Sequence, residues 1–218
     1  MRIGFLGAGT MAGAFAPRWA MAGHEIFVGG RTQSKARRLA EAVGGQGGSL
    51  REAAEFGDVC LLATSGEGLA ATIEAAGGTH GALRGKVIVD CGNAVYLRDF
   101  SKVRWDGRSL AEQAEFLAMG SQVVKAFNLC EASVWRMDAP VFDGRPLAVP
   151  YCGADEAKQV VRPLIRALGC RPVDVGDLSQ ARHLEAMAIV MINILRNGFG
   201  PRTVFNLIPD GGPIADDE

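Results

Sequence analysis

The sequence predicts a doubly wound α/β fold: a mostly parallel sheet with helices on both faces, then a smaller C-terminal α/β lobe ending in a long helix. Three observations carry this prediction. A glycine turn, Gly7-Ala8-Gly9-Thr10-Met11-Ala12-Gly13, joins a short apolar run to a helical stretch. Short apolar runs then alternate with helical segments as far as Phe127, as in a parallel sheet covered on both faces. A second, shorter alternation follows from Leu147 to Asn197.

Taken in order, Arg2 to Leu6 is the first strand, and the helix after the glycine turn runs to about Ala22. Glu25 to Val28 is the second strand and ends in Gly29-Gly30-Arg31-Thr32-Gln33-Ser34-Lys35. Gln33 to Val43 is helical in composition and is closed by Gly44-Gly45; Leu50 to Phe56 is a short helix. Asp58 to Ala63 is a continuous apolar strand, Gly68 to Ala76 an Ala-rich helix, and Lys86 to Asp90 the next strand. Cys91 to Arg108 is irregular. Ser109, with Glu112 three residues on, is a capping box that opens a further helix. Gln122 to Phe127 is a strand.

A domain boundary is expected near residue 145, with a first domain over 1–145, a lobe over 146–208 and a mobile Pro/Gly-rich acidic tail over 209–218. In the lobe, Leu147 to Cys152 is strand-like. Gly153-Ala154-Asp155 caps a helix from about Glu156 to Leu168, and Cys170 to Val175 is extended. Leu178 to Asn197 is a long helix, apolar around most of its circumference from Leu184. Such a helix is buried in a core, over a cleft or between subunits, so a homodimer is one expectation.

The glycine turn has the layout of a dinucleotide-binding Rossmann unit. Gly7 permits the tight turn, Gly9 lets backbone approach a pyrophosphate, and the small Ala12 lets helix and strand pack. The N–H groups of Thr10, Met11 and the rest of the first helical turn face the anion. The end of the second strand decides between nicotinamide cofactors. A carboxylate there would hold a ribose 2′-hydroxyl and repel a 2′-phosphate. None stands between Ile26 and Arg38; Arg31, Thr32, Ser34 and Lys35 stand there instead. A guanidinium fork, an ammonium and two hydroxyls suit a phosphate, so NADP(H) is the expected cofactor. Arg37 and Arg38 belong to the solvated face of the next helix.

Ligands of such sheets bind beyond the carboxyl ends of the strands. That rule nominates the loops Gly7–Gly13, Thr64–Gly68, Cys91–Val95 and Asn128–Glu131. Thr64, Ser65, Asn93, Ala126 and Phe127 are expected around the nicotinamide. Asn128 is expected nearest a second substrate, as a positioning group, or else as the cap of the helix near Glu131.

Composition narrows the class. With 218 residues, 48% of them hydrophobic and 22% charged, the chain can bury a sizeable core. A formal net charge of -1 and the absence of a long basic run argue against a nucleic-acid partner. The five cysteines show no C-x-x-C spacing and the three histidines no partner cluster, so neither a disulfide framework nor a metal site is indicated. Cys60 is expected in the core, and Cys91 and Cys130 are candidates to line a cleft. His24 and His80 are expected to be solvated and His183 structural. The first strand carries the glycine motif, so it is not a signal peptide, and the Leu184–Leu195 helix is too short to span a bilayer. A reduced, soluble, cytoplasmic protein without a membrane partner is the expectation.

Several segments together resemble the NADPH:coenzyme F-420 (8-hydroxy-5-deazaflavin) reductases and their relatives, among them the cytosolic reductase domain of six-transmembrane metalloreductases. The matching segments are Gly7 to Ala12, Gly29 to Lys35, Val123-Val124-Lys125-Ala126-Phe127-Asn128, Cys152 to Lys158, and Arg171 to Leu178 continuing into Ala181-Arg182-His183-Leu184-Glu185. The resemblance implies NADP(H) in the first domain, with coenzyme F-420, a flavin or another small hydride partner in a cleft against the C-terminal part. It also implies direct hydride transfer between stacked rings, in which the protein mainly orients the reactants. Departures fall on the cleft loops. Thr64-Ser65-Gly66-Glu67-Gly68 stands where the reductases tend to carry Pro and a bulky aromatic, and reads as smaller and more mobile. Asn93-Ala94 replaces Asn-Pro, and Leu129-Cys130 follows Asn128 where many relatives carry Thr. These leave the second substrate open. Two alternatives share the architecture: an imine or pyrroline-carboxylate reductase, for which roughly seventy residues after Asp143 are short, and a non-catalytic NADP(H) sensor.

Overall fold

A computed structural model of the chain describes residues 1–95, 107–142 and 144–198. The expected tail over 209–218, the end of the expected lobe and most of the irregular stretch after Val95 lie outside the described residues.

The elements in chain order are β1 (Arg2–Leu6), α1 (Thr10–Met21), β2 (Glu25–Gly29), α2 (Gln33–Glu41), β3 (Gln46–Gly48), α3 (Leu50–Phe56), β4 (Val59–Leu62), α4 (Leu69–Ala75) and β5 (Val87–Asp90). After the undescribed stretch come α5 (Leu110–Leu117), β6 (Gln122–Lys125), α6 (Ala132–Trp135), β7 (Val141–Phe142), β8 (Arg145–Pro146), β9 (Ala148–Gly153), α7 (Asp155–Arg166), β10 (Arg171–Asp174) and α8 (Ala181–Arg196). Both β4 and β5 are buried at every position, which is why they read as continuous apolar runs. Ser109 and Glu112 form the expected capping box, and Ser49 with Glu52 forms a second one at α3.

Among the described residues, eight strands make one sheet in the order β10-β9-β6-β5-β4-β1-β2-β3. The six strands from β3 to β6 are parallel, β9 runs antiparallel to β6, and β10 is parallel to β9. The doubly wound prediction is thus met. Successive strand residues point to opposite faces, and the core divides accordingly. Phe5, Leu61 and Val89 pack with α1, α2 and α7; Leu6, Leu62 and Ile88 pack with α3, α4, α5 and the start of α8. The boundary expected near residue 145 is not a break in this sheet. Its last two strands follow that point, and the indole of Trp19 in α1 donates to the carbonyl of Leu164 in α7 at 3.1 Å.

Two elements differ from expectation for identifiable reasons. Strand β3 has no apolar side chain to announce it: Gln46-Gly47-Gly48 is an edge strand under α2, where a Cβ on Gly47 would come within 2.6 Å of the Arg37 Cα. The long helix begins as a single 3-10 turn, Leu178–Gln180, capped by Asp177. Its burial also departs from an all-round apolar helix in a core. Ala181, Leu184, Glu185 and Ala188 are buried, but Val190 is 50% exposed. Only the first half of α8 packs on the sheet, so one charged residue is buried while apolar ones further along are not.

Candidate functional site

The strand order reverses between β1 and β4, and the loops at their carboxyl ends open a crevice there. Gly7 makes the turn. Its φ is +134°, its N–H donates to Gly29 O at 3.0 Å, and a Cβ on it would sit 2.3 Å from Ala63 O. Gly9 is different. It is the N-cap of α1 with an ordinary φ of -88°, and a Cβ there would meet only Ala63 O, at 3.8 Å. Among the described residues nothing requires glycine at this position; the space above it is open. No side chain caps the first turn of α1, so its N–H groups are left for an anion. A pyrophosphate fits that cradle. Ala12 is fully buried in the helix–sheet contact, as its small size predicts.

Beside this cradle, a Cβ on Gly30 would lie 3.4 Å from that of Ala8, so the end of β2 borders the glycine turn. Arg31, Thr32, Ser34 and Lys35 are all exposed there, and Thr32, the N-cap of α2, makes no side-chain capping bond. Arg37 instead donates to Gln33 along its own helix at 3.1 Å.

The loop after β4 forms a 3-10 turn, Gly66–Gly68, where mobility is expected from its small residues. Ser65 Oγ accepts from Gly68 N, and Thr72 donates to Thr64 Oγ1 at 3.2 Å. These hydroxyls order the loop. Thr64 O lies 3.5 Å from where a Cβ of Gly92 would be, which links this loop to the one after β5.

Beyond β5 and β6 the site becomes a network. Asn128 Nδ2 donates to Asn93 Oδ1 at 2.9 Å and to Leu184 O at 3.0 Å, while Asn93 Nδ2 donates to Asn128 O at 3.0 Å. Asn128 is 5% exposed, and its Oδ1 has no hydrogen-bond partner among the described residues. It does not cap the next helix, as one expectation had it. The N-cap of α6 is Glu131, and the Asn128 amide turns instead to Asn93 and α8. Phe127 makes that turn possible. Among described non-glycine residues it has the one positive φ, +65°. Its ring stays in the core against Phe15 and Trp135, at 4.9 and 5.4 Å between centroids. Strain of this kind collects at functional sites. The rings of the core, not the cleft, thus take the Phe127 side chain, and Ala126 is fully buried, so any part these two play at a ligand falls to their backbone.

A cavity of about 410 Å³ opens between this network and α8, lined by Asn93, Asn128, Leu129 and Cys130 on one side and by Met191, Ile192 and Leu195 on the other. The sequence-expected residues Asn93, Asn128 and Cys130 meet here, and α8 lies over the cleft. Burial pushes the Cys130 thiol up to about 11 and Cys91 up to about 12, so both remain protonated at neutral pH. Cys91 is fully covered and donates to Leu62 O. The exposed His183 and His80 contribute nothing to the cavity walls.

One cluster was not foreseen. Lys125 is fully buried, and its ammonium contacts Asp90 Oδ2 at 2.7 Å, Glu185 Oε1 at 2.8 Å and Gly92 O at 2.6 Å. Burial pulls its pKa down, but the two carboxylates outweigh that and hold it above the ordinary lysine value. The available signal was a charge inside each of two apolar segments, Lys125 in Gln122–Phe127 and Glu185 in the long helix.

The chain is similar to several known proteins. Residues 2–94 match the family model for NADP oxidoreductase, coenzyme F420-dependent. The chain is 30% identical over 216 residues to the F420-dependent NADP reductase of Methanothermobacter marburgensis, covering 89% of this chain and 92% of that one. It is 32% identical over 193 residues to the metalloreductase STEAP3 of Rattus norvegicus; this covers 88% of the chain but only 37% of that protein's length. The crystal structure of a putative F420-dependent NADP-reductase from Arthrobacter sp. FB24 superposes with a TM-score of 0.76 at 27% identity, over 89% of this chain and 93% of that one. No described helix is long and apolar enough to cross a membrane.

Proposed function

The chain belongs to the F420-dependent NADP reductase family, and from that premise we propose that it exchanges a hydride between NADP(H) and a planar acceptor of deazaflavin or flavin type. Gly9 and the first-turn N–H groups of Thr10, Met11 and Ala12 hold the pyrophosphate, with Gly7 making the turn that places them. Arg31, Thr32, Ser34 and Lys35 take the 2′-phosphate, and Thr64, Ser65, Asn93 and the backbone of Ala126 and Phe127 border the nicotinamide. The acceptor occupies the 410 Å³ cavity against α8.

The observation that carries this reading is continuity. The open space above Gly9 borders Ala63, Thr64 borders Gly92, and Asn93 is bonded to Asn128 at the cavity wall. The loops that would border a dinucleotide laid on the uncapped start of α1 therefore adjoin one another from cradle to cavity. When bound, NADPH supplies a hydride from its nicotinamide ring. The chain contributes orientation and exclusion of water: apolar Met191, Ile192 and Leu195 form one wall, and an amide pair the other. The Cys130 thiol stays protonated and no histidine lines the cavity; its charged lining residues are the exposed Glu131 and Arg196.

The test is NADPH oxidation against coenzyme F420, flavin mononucleotide, ferric chelates and cyclic imines, followed by stereospecifically deuterated NADPH with the best acceptor. A primary isotope effect from one face, with deuterium on the product carbon, supports direct transfer. Binding of NADPH without oxidation by any acceptor would replace this reading with the sensor, and turnover of cyclic imines alone with an imine reductase.

A further inference from the structure

The wall that α8 gives the cavity is held from its N-terminal side. Beyond Ala188 its residues are half-buried or exposed. Two side chains at the end of β6 and just beyond it reach the helix: Asn128 to Leu184 O, and Lys125 to the carboxylate of Glu185. Lys125 does more than pair. Its three donors reach three elements at once: Asp90 at the end of β5, the carbonyl of Gly92 in the loop that carries Asn93, and Glu185 on α8. Glu185 extends the link, accepting from the N–H groups of Leu110 at 2.9 Å and Ala111 at 3.3 Å, the two first-turn donors of α5 that its capping box leaves over.

Two carboxylates and one ammonium at 0–5% side-chain exposure are a costly way to fasten a helix. Desolvation of buried ions offsets much or all of their attraction, and an apolar replacement of similar volume is often as stable. What the cluster adds is direction: charge-assisted bonds have one geometry, whereas apolar contacts allow sliding. We propose that Lys125 and Glu185 are positioning residues, which set the register of α8 over the cavity and with it the seat of the acceptor. They act through α8 and the Gly92–Asn93 loop and leave the pyrophosphate cradle alone. The proposal rests on the reading that the acceptor occupies the cavity.

Glu185→Gln in the full chain tests it. Glu185 Oε2 accepts from Leu110 and Oε1 from Ala111 and Lys125, so glutamine keeps an oxygen for one of these sets and turns its NH2 to the other, while Asp90 and Lys125 remain as a neutral pair. The KM for coenzyme F420 should rise about tenfold, as expected of misplacement, while NADPH affinity stays within about twofold. Amide exchange from Met187 to Leu195 should quicken about tenfold, with the strands unchanged. Unchanged KM and exchange would overturn the proposal, and so would a parallel loss of NADPH affinity. If the wild type reduces no acceptor, the functional reading fails, and the exchange of α8 still decides the positioning role. The unaltered protein gives a second measurement should the variant misfold. Amides next to Glu185 should exchange at least about tenfold more slowly than those from Met191 to Leu195; uniform exchange along the helix would overturn the assignment.

Discussion

The side-chain amide of Asn128 donates to the backbone carbonyl of Leu184 at 3.0 Å, across 56 residues of sequence, and thereby joins the loop after β6 to the helix that walls the cavity. Leu184 O is an acceptor inside a helix, already engaged along the backbone, so this second bond serves placement more than satisfaction. Asn93 meets the same amide from the other side. The site is therefore assembled at one side chain from β5, β6 and α8.

Asn128→Ala should for that reason lower turnover about tenfold without abolishing it, because the substitution misplaces the wall and removes no reacting group. Two amide bonds are lost, and Asn93 Oδ1 is left part-buried without its donor while Asn93 Nδ2 keeps the backbone oxygen of residue 128, so a loss of about 1–3 kcal/mol in stability is expected. NADPH affinity should hold. Steady-state kinetics with coenzyme F420 and a melting curve check both. Complete loss of turnover in a folded variant would assign Asn128 a chemical role.

Arg31→Ala should weaken NADPH about tenfold or more and leave NADH unchanged. One charge-assisted bond to phosphate is worth about 1.5–3 kcal/mol. Arg31 stands exposed at the end of β2 beside the glycine turn, with no carboxylate near it in sequence. Calorimetry with both cofactors is the measurement; equal wild-type affinity for NADPH and NADH would remove the basis of the assignment.

The cradle was legible in the sequence because its determinants are local. A turn, a strand end and a helix start within residues 2–35 each follow from neighbouring residues. The buried strands β4 and β5 were legible for the same reason. Three features were not. β3 is a strand by virtue of what lies above it, and its glycines say only that something comes close. The cluster of Asp90, Lys125 and Glu185 spans separations of 35 and 60 residues, and each charge alone reads as an anomaly in an apolar segment. The half-exposed α8 could not be told from a core helix, since periodicity reports how apolar a helix is and not how far its neighbours extend.

Stability should fall steeply in alkali. Burial raises four thiols, Cys60, Cys91, Cys152 and Cys170, to about 12 and Cys130 to about 11. An unfolded thiol ionises near about 8.5. From about pH 9 to 11 the unfolded chain binds fewer protons than the folded one, so stability declines as pH rises, by up to about 1.4 kcal/mol per pH unit for each thiol. Lys125 adds to the decline at still higher pH. Burial lowers its pKa, its two carboxylates more than restore it, and the pair's contribution is lost only as pH rises through that raised value. Urea denaturation at pH 8 and pH 10 measures the slope, and Cys60→Ala should make it shallower by about one proton. A stability independent of pH across this range would contradict the burial of the thiols.

Gly7 and Gly9 should separate fold from function, although they stand two residues apart in one motif. At Gly7 the chain itself demands glycine. The φ of +134° and the 2.3 Å approach of Ala63 O mean that Gly7→Ala must shift backbone at the β1–β4 junction, with an expected loss of about 2–4 kcal/mol. At Gly9 the backbone is ordinary and the nearest atom is 3.8 Å away. Gly9→Val should therefore fold, with at most about 1 kcal/mol lost at the helix N-cap, yet fill the space that a pyrophosphate needs. The expected pattern is a lowered melting temperature for Gly7→Ala, and a near-native melt without NADPH binding for Gly9→Val. Normal NADPH affinity in folded Gly9→Val would mean that the cofactor lies elsewhere, since no other observation explains why this open position carries no side chain.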